Sequence, residues 1–219
     1  MKRSNAELQQ DVQNAIKWQP LLNAAEIGVT AKNGVVSLTG VVDSYGKKSE
    51  AEDAAKNVAG VTAVVEKIEV KFPNSWSKTN AEIATEVLNA LKARWDVPND
   101  KIKVKVEDGW ITLSGELTWN YQKEAAKDAI RYLTGVTGVT NKITIKSETE
   151  NAVEKAAIES ALKRNWSIND QDIRVKASGH NATLTGTVSS WYQKEEAGRI
   201  AWDAPGVWTV DNQLVVDWN

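Results

Sequence analysis

The 219-residue chain has no cysteine, one histidine and one methionine. Without thiols it has no disulfide framework and no thiolate metal site. A single histidine, His180, argues against a histidine-based metal centre or catalytic triad. No apolar run reaches the ~18–20 residues of a membrane-spanning helix, so no transmembrane segment is expected. The first twelve residues, MKRSNAELQQDV, lack the apolar core of a secretion signal. Read as written, the chain is cytoplasmic; if an export signal was trimmed, it is periplasmic. The sequence contains no G-x-S-x-G, no glycine-rich phosphate loop and no clustered metal ligands. Its carboxylates, among them Asp108, Glu124 and Asp128, fall at turns and on helix faces, without the paired placement that general acid–base chemistry requires. These absences point to a protein that is not an enzyme and carries no cofactor.

Hydrophobic residues make up 42 % of the chain and charged residues 26 %, a balance typical of folded domains. The formal net charge of −2 lacks the basic excess of a nucleic-acid binder, so no nucleic-acid partner is expected. Tryptophan is over-represented, with ten against one phenylalanine. Its apolar body and polar N–H suit interfaces as well as cores.

The chain repeats itself three times. Gly34, Gly40 and Gly60 recur 75 positions on as Gly109, Gly115 and Gly135, and the last two recur 71 further on as Gly186 and Gly206. VVSLTG, WITLSG and NATLTG align, as do GVTAVVEKIEV, GVTGVTNKITI and GVWTVDNQLVV. The expected domains are 1–75, 76–147 and 148–219, joined by KFPNSWSK and KSETEN. Each opens on a helix. Ser4 with Glu7, and Thr79 with Glu82, have the spacing of a capping box. Ile83, Val87, Leu88, Leu91 and Trp95 fall on one helical face, with Trp18 and Trp166 as the counterparts of Trp95; an aromatic there in all three copies reads as a core anchor. Two alternating runs follow, such as Ile102-Val104-Val106 and Ile111-Leu113, separated by KNG, EDG or SGHN: a β-hairpin buried on one face. The alternation puts Gly40, Gly115 and Gly186 on the inner face, where a missing side chain would let a helix approach. A second helix, capped by Asp43, Thr118 or Ser189, carries a stripe of small residues and stops at Gly60, Gly135 or Gly206. A third strand then closes the unit, parallel to the second. The fold class is α+β: three tandem αββαβ domains, each a small three-stranded mixed sheet with two helices on one face.

The sequences NGVVSLTGVV…AGVTAVVEKIEV, DGWITLSGEL…TGVTGVTNKITI and GHNATLTGTV…PGVWTVDNQLVV resemble the BON (bacterial OsmY and nodulation) domain, three times over. The third departs from the pattern, with His180 in place of the turn glycine. The resemblance implies non-catalytic attachment modules of osmotic-stress and envelope proteins, as in the OsmY-like members. It also implies phospholipid binding, reported cation binding, and a periplasmic setting for most members.

Candidate contact residues follow from comparing the copies. TWNYQKEAA and SSWYQKEEA open two of the second helices. Trp119, Tyr121 and Lys123, with Trp191, Tyr192 and Lys194, form an aromatic-lysine surface suited to a phospholipid headgroup region or a protein partner. Repeat one has Gly46 where the tyrosines stand, so the shared fold does not demand the rings. They also suit packing at the end of a sheet or across a domain joint. Trp202 and Trp208 replace Lys56/Arg131 and Thr62/Thr137, and are expected to contact another domain or partner. Lys101, Lys103 and Lys105, on the outer face of the second repeat's first strand, are candidates for an anionic surface, or a means of keeping an edge strand from pairing. His180 is expected to be a solvated turn residue. The alternative function is a small-ligand- or cation-responsive stress protein, with potassium as an example, or a structural, chaperone-like one.

Overall fold

The computed structural model describes residues 4–73, 78–146, 153–165, 168 and 172–217. Three copies of one helix–strand–strand–helix–strand unit follow one another. The first comprises α1 (Asn5–Lys17), β1 (Ile27–Lys32), β2 (Val35–Val42), α2 (Tyr45–Lys56) and β3 (Ala63–Val70). The second comprises α3 (Asn80–Ala93), β4 (Ile102–Glu107), β5 (Trp110–Leu117), α4 (Asn120–Ile130) and β6 (Gly138–Ile145). The third comprises α5 (Lys155–Arg164), β7 (Ile173–Ser178), β8 (Asn181–Val188), α6 (Trp191–Trp202) and β9 (Thr209–Val216). Each sheet has its second strand in the centre. The hairpin pairs are antiparallel, while β5–β6 and β8–β9 are parallel, as a helical crossover requires.

Two compact units result. Residues 1–40, 50–68 and 149–219 form one; residues 41–49 and 69–148 form the other.

Both predicted capping boxes are present. Glu7 and Glu82 accept hydrogen bonds from the backbone N–H groups of Ser4 and Thr79, whose hydroxyls accept in turn from the N–H groups of Glu7 and Glu82. The two bonds from Thr79 lower the Glu82 pKa. A carboxylate depressed in this way stabilises the fold above its ordinary pKa of about 4.3, and the contribution is lost as pH falls through the lowered folded value. Thr79→Ala is expected to cost about 1 kcal/mol. Glu82→Gln, which keeps the reciprocal bond, should flatten the acid limb of the melting-temperature profile in circular dichroism.

Leu8, Val12 and Ile16 of α1, Ile83, Val87 and Leu91 of α3, and Ile158 and Leu162 of α5 point into the three cores. Val36 and Leu38, Ile111 and Leu113, and Ala182 and Leu184 of the central strands are fully buried as well, and in the third repeat they share one cluster with Ile158 and Leu162. The tryptophans expected to anchor these cores do not. Trp18 is 84 % exposed and Trp95 is 95 % exposed, and Leu88 is exposed as well. The reason is local. The side chains at 83, 87 and 91 complete the buried stripe, α3 ends at Ala93, and the chain then leaves the helical rotation that would have carried Trp95 inward. Trp166 and residues 74–77 and 147–151 of the two joints lie outside the described residues.

Gly40, Gly115 and Gly186 do sit where close approach requires glycine, but the approaching group is not a helix. A Cβ at Gly115 would fall on the carbonyl oxygen of Lys101, the last residue before β4; Glu26 and Asp172 play the same part in the other repeats. All three glycines have φ between 126° and 148°, which disfavours any side chain.

Candidate functional site

The aromatic-lysine stretches lie where a central strand hands over to the second helix. The strand ends at Val42, Leu117 or Val188, and two residues are needed to leave the sheet before the helix begins. The cap is therefore one residue later than expected: Ser44, Trp119 and Ser190 rather than Asp43, Thr118 and Ser189. Ser44 Oγ accepts from the Lys47 N–H at 3.4 Å, and Ser190 Oγ from the Gln193 N–H at 3.2 Å. Asp43 instead binds Lys47 Nζ at 2.8 Å, and Ser189 donates to Gln193 Oε1. An indole offers no acceptor, so Trp119 cannot cap α4. Only the return half of the motif remains, with Gln122 Oε1 accepting from the Trp119 N–H at 3.2 Å.

From these starts the side chains go different ways. Trp119 is 37 % exposed and Tyr121 is 50 % exposed. Tyr192 is also exposed, and Lys123 and Lys194 are half-buried. The sheet holds both lysine backbones: Asn141 of β6 donates to the Lys123 carbonyl at 2.8 Å, and Asn212 of β9 to that of Lys194 at 2.6 Å.

Trp191 is half-buried, and its N–H donates to Glu195 at 2.9 Å. Two ammonium groups lie 5.7 Å from its ring centre, those of Lys194 and of Lys56, the last residue of α2. Lys56 also pairs with Glu52 at 2.9 Å and Glu195 at 3.5 Å. Burial pulls the pKa of Lys56 down, but the Glu52 bond and the charges of Glu195, Glu52 and Asp53 outweigh it and leave the pKa raised. Nearby, the Gly60 N–H donates to the Ser189 carbonyl at 3.3 Å. Repeat three's aromatic start is thus a joint with repeat one inside the first compact unit.

Repeat one uses the same place differently. Gly46, the counterpart of Tyr121 and Tyr192, lies under the ring of Tyr132, where a Cβ would overlap Cδ1. The Arg131 guanidinium lies 5.0 Å from the same ring. The missing tyrosine of the first repeat makes room for a tyrosine of the second, a signal that the alignment of copies contains but does not interpret. Gly46→Tyr is expected to overpack this joint and cost about 1–3 kcal/mol. Adding Tyr132→Ala should recover most of that loss in a double-mutant thermal-melting cycle.

The remaining candidates resolve as follows. Trp202 packs on the core of its own repeat. Trp208 stacks on His180 with ring centres 3.9 Å apart and planes 5° from parallel. His180 Nδ1 lies 2.8 Å from the Gly206 carbonyl, so this histidine is not a solvated turn residue. Its carbonyl accepts from the Trp208 N–H at 2.9 Å, the bond that Gly34 and Gly109 accept from Thr62 and Thr137. The stacked pair therefore accompanies the loss of the turn glycine. Lys101 lies in a 3-10 turn ahead of β4, while Lys103 and Lys105 are exposed on the outer face of the strand. In register, Lys103–Ser114–Lys142 forms one row across that face and Lys105–Thr112–Thr140 the next. Trp110, half-exposed beside them, donates to Thr140 Oγ1 at 2.8 Å.

The BON domain model matches residues 4–71, 79–147 and 152–217. The chain belongs to the BON domain family. This BON protein is 30 % identical over 129 residues to osmotically-inducible protein Y of Escherichia coli K12, a match covering 57 % of the chain and 64 % of that protein, slightly less than two thirds of its length. It is 30 % identical over 132 residues to a 21 kDa hemolysin of Actinobacillus pleuropneumoniae, covering 59 % of the chain and 68 % of the relative. Among solved structures, the C-terminal domain of CdsD, a structural protein of the type III secretion system of Chlamydia trachomatis, is similar at 19 % identity, with 98 % of this chain and 100 % of that chain covered and a TM-score of 0.26. At that score the likeness bears neither on arrangement nor on function. Among the described residues, no helix is long and apolar enough to cross a membrane.

Proposed function

We propose that this BON protein is a non-catalytic binding protein of the osmotic and envelope stress response, and that it contacts anionic phospholipid through the outer sheet face of its second repeat. The observation that carries the lipid reading is the Lys103–Ser114–Lys142 row, with Lys105 and Trp110 on the same face. The matching row of the third repeat reads Arg174–Thr185–Gln213, and that of the first begins Gly28–Thr39. The paired lysines are thus particular to the second repeat, whose residues 76–147 carry eleven Lys and Arg against nine Asp and Glu. Lysines near an anionic leaflet contribute about 1 kcal/mol each, and an interfacial tryptophan adds a headgroup-level anchor. The stress role rests on the relationship to osmotically-inducible protein Y.

The test is co-sedimentation with phosphatidylglycerol-containing vesicles at low ionic strength, against pure phosphatidylcholine. Binding to the first, weakening with salt, is expected; no binding at low salt overturns the reading. A protein partner is the second reading, favoured by the helix-end contacts of repeats one and three. Among the described residues, no three His, Asp or Glu side chains come together as metal ligands.

A further inference from the structure

The second helices meet end to start, twice. Inside the second compact unit, Tyr132, just beyond the end of α4, covers Gly46 at the start of α2. Inside the first, Lys56 at the end of α2 reaches Trp191 and Glu195 at the start of α6. Lys56 and Arg131 occupy the same place in the repeat, as do Gly46 and Tyr121. The contacting residues are shifted by one position between the two, Tyr132 corresponding to Asn57 and Trp191 to Asn120, but both set the end of one second helix at the start of another. One start, that of α4, and one end, that of α6, take no part in either contact.

Both carry residues that serve their own helix poorly. Trp119 holds the N-cap of α4, where the occupied starts have Ser44 and Ser190. Asp203 is the C-cap of α6, where the helix dipole disfavours an acid. Asp203 is offset locally by its ion pair with Arg199 at 2.9 Å, whereas Trp119 gives its helix no side-chain cap; a local rule broken without compensation marks a site kept for another purpose. The rings at the α4 start, Trp119 and Tyr121, are exposed, and so is Asp203. Charge also matches. The second repeat has a net +2, and residues 148–219 have seven Lys and Arg against eleven Asp and Glu.

We infer that the α6 end of one copy of this protein docks on the α4 start of a second copy, through Trp202 and Asp203 on one side and Trp119, Tyr121 and Lys123 on the other. The contact is heterologous, so each copy added leaves one free start and one free end, and assembly runs head to tail rather than stopping at a symmetric dimer.

Sedimentation velocity on the full chain, from micromolar to near-millimolar, tests this. The expected result for the wild type is a mass that keeps rising past two copies with concentration. Tyr121→Glu disables the start and Asp203→Lys the end, so each variant alone should stay monomeric. Mixed, they retain one competent end and one competent start, and should form a 1:1 pair that grows no further. Tyr121→Glu places charge favourably relative to the helix dipole and should keep its melting temperature; Asp203→Lys gives up the exposed Arg199 ion pair and should lose at most about 1 kcal/mol, so both variants remain folded, which circular dichroism checks. A wild type that is monomeric throughout, a plateau at two copies, either variant associating like the wild type, or a mixture that stays monomeric would each overturn the inference. No lipid is present, so failure here leaves the phospholipid reading standing.

Discussion

Gly115→Ala is expected to remove a large part of the second repeat's stability. The glycine has a φ of 148°, and an added Cβ would overlap the Lys101 carbonyl, which is backbone and cannot rotate away. The carbonyl belongs to the turn that delivers Ile102 into register opposite Gly115, so relief requires the hairpin to shift. We expect a cost of about 3 kcal/mol or more, at the upper end for single substitutions. A domain of this size has only roughly 4–10 kcal/mol in hand. Gly179→Ala is the control. Its φ is 58°, and nothing lies within 4 Å of the new Cβ, so it should cost only the left-handed strain of about 1–2 kcal/mol. Thermal unfolding with hydrogen exchange, read over residues 79–146 for Gly115→Ala and over the third repeat for Gly179→Ala, distinguishes the two. Equal costs for the two variants would show that the turn before β4 yields freely.

The second large effect is electrostatic. Lys103→Glu with Lys142→Glu changes the charge of the outer face by four units while leaving the buried face of the sheet untouched. At about 1 kcal/mol per unit near an anionic bilayer, affinity for phosphatidylglycerol vesicles should fall roughly a thousandfold at low salt. The same pair of substitutions should leave the melting temperature within a few degrees, because both side chains are exposed. Binding that survives the double reversal would remove this face as the lipid contact. Tyr121→Glu, on a different surface, should leave most of the vesicle binding in place.

Much of the fold was readable because the repeat supplies the same information three times. Glycines moving together, period-two runs around a turn and two capping boxes each constrain the backbone locally, and local constraints survive without tertiary contacts. The misreadings share a cause. Trp18 and Trp95 continue an apolar stripe on paper, yet periodicity cannot say where a helix stops being one. The second-helix caps were displaced by one residue because two, not one, are needed to clear the strand. His180 looked solvated because its stacking partner, Trp208, is 28 residues away in sequence.

The aromatic-lysine stretches show the boundary most clearly. Sequence alone determined that the rings are not part of the shared domain, since Gly46 stands where Tyr121 and Tyr192 do. It also determined the αββαβ unit, its three copies, and the lysines of the second repeat's first strand. Only the tertiary structure decided that Gly46 is vacant for Tyr132, that Lys56 crosses to Trp191, and that Lys142 completes a row with Lys103 across Ser114. Each of these depends on which distant segments share a register or a surface. That pairing is set by packing over the whole unit and leaves no mark in the spacing of nearby residues.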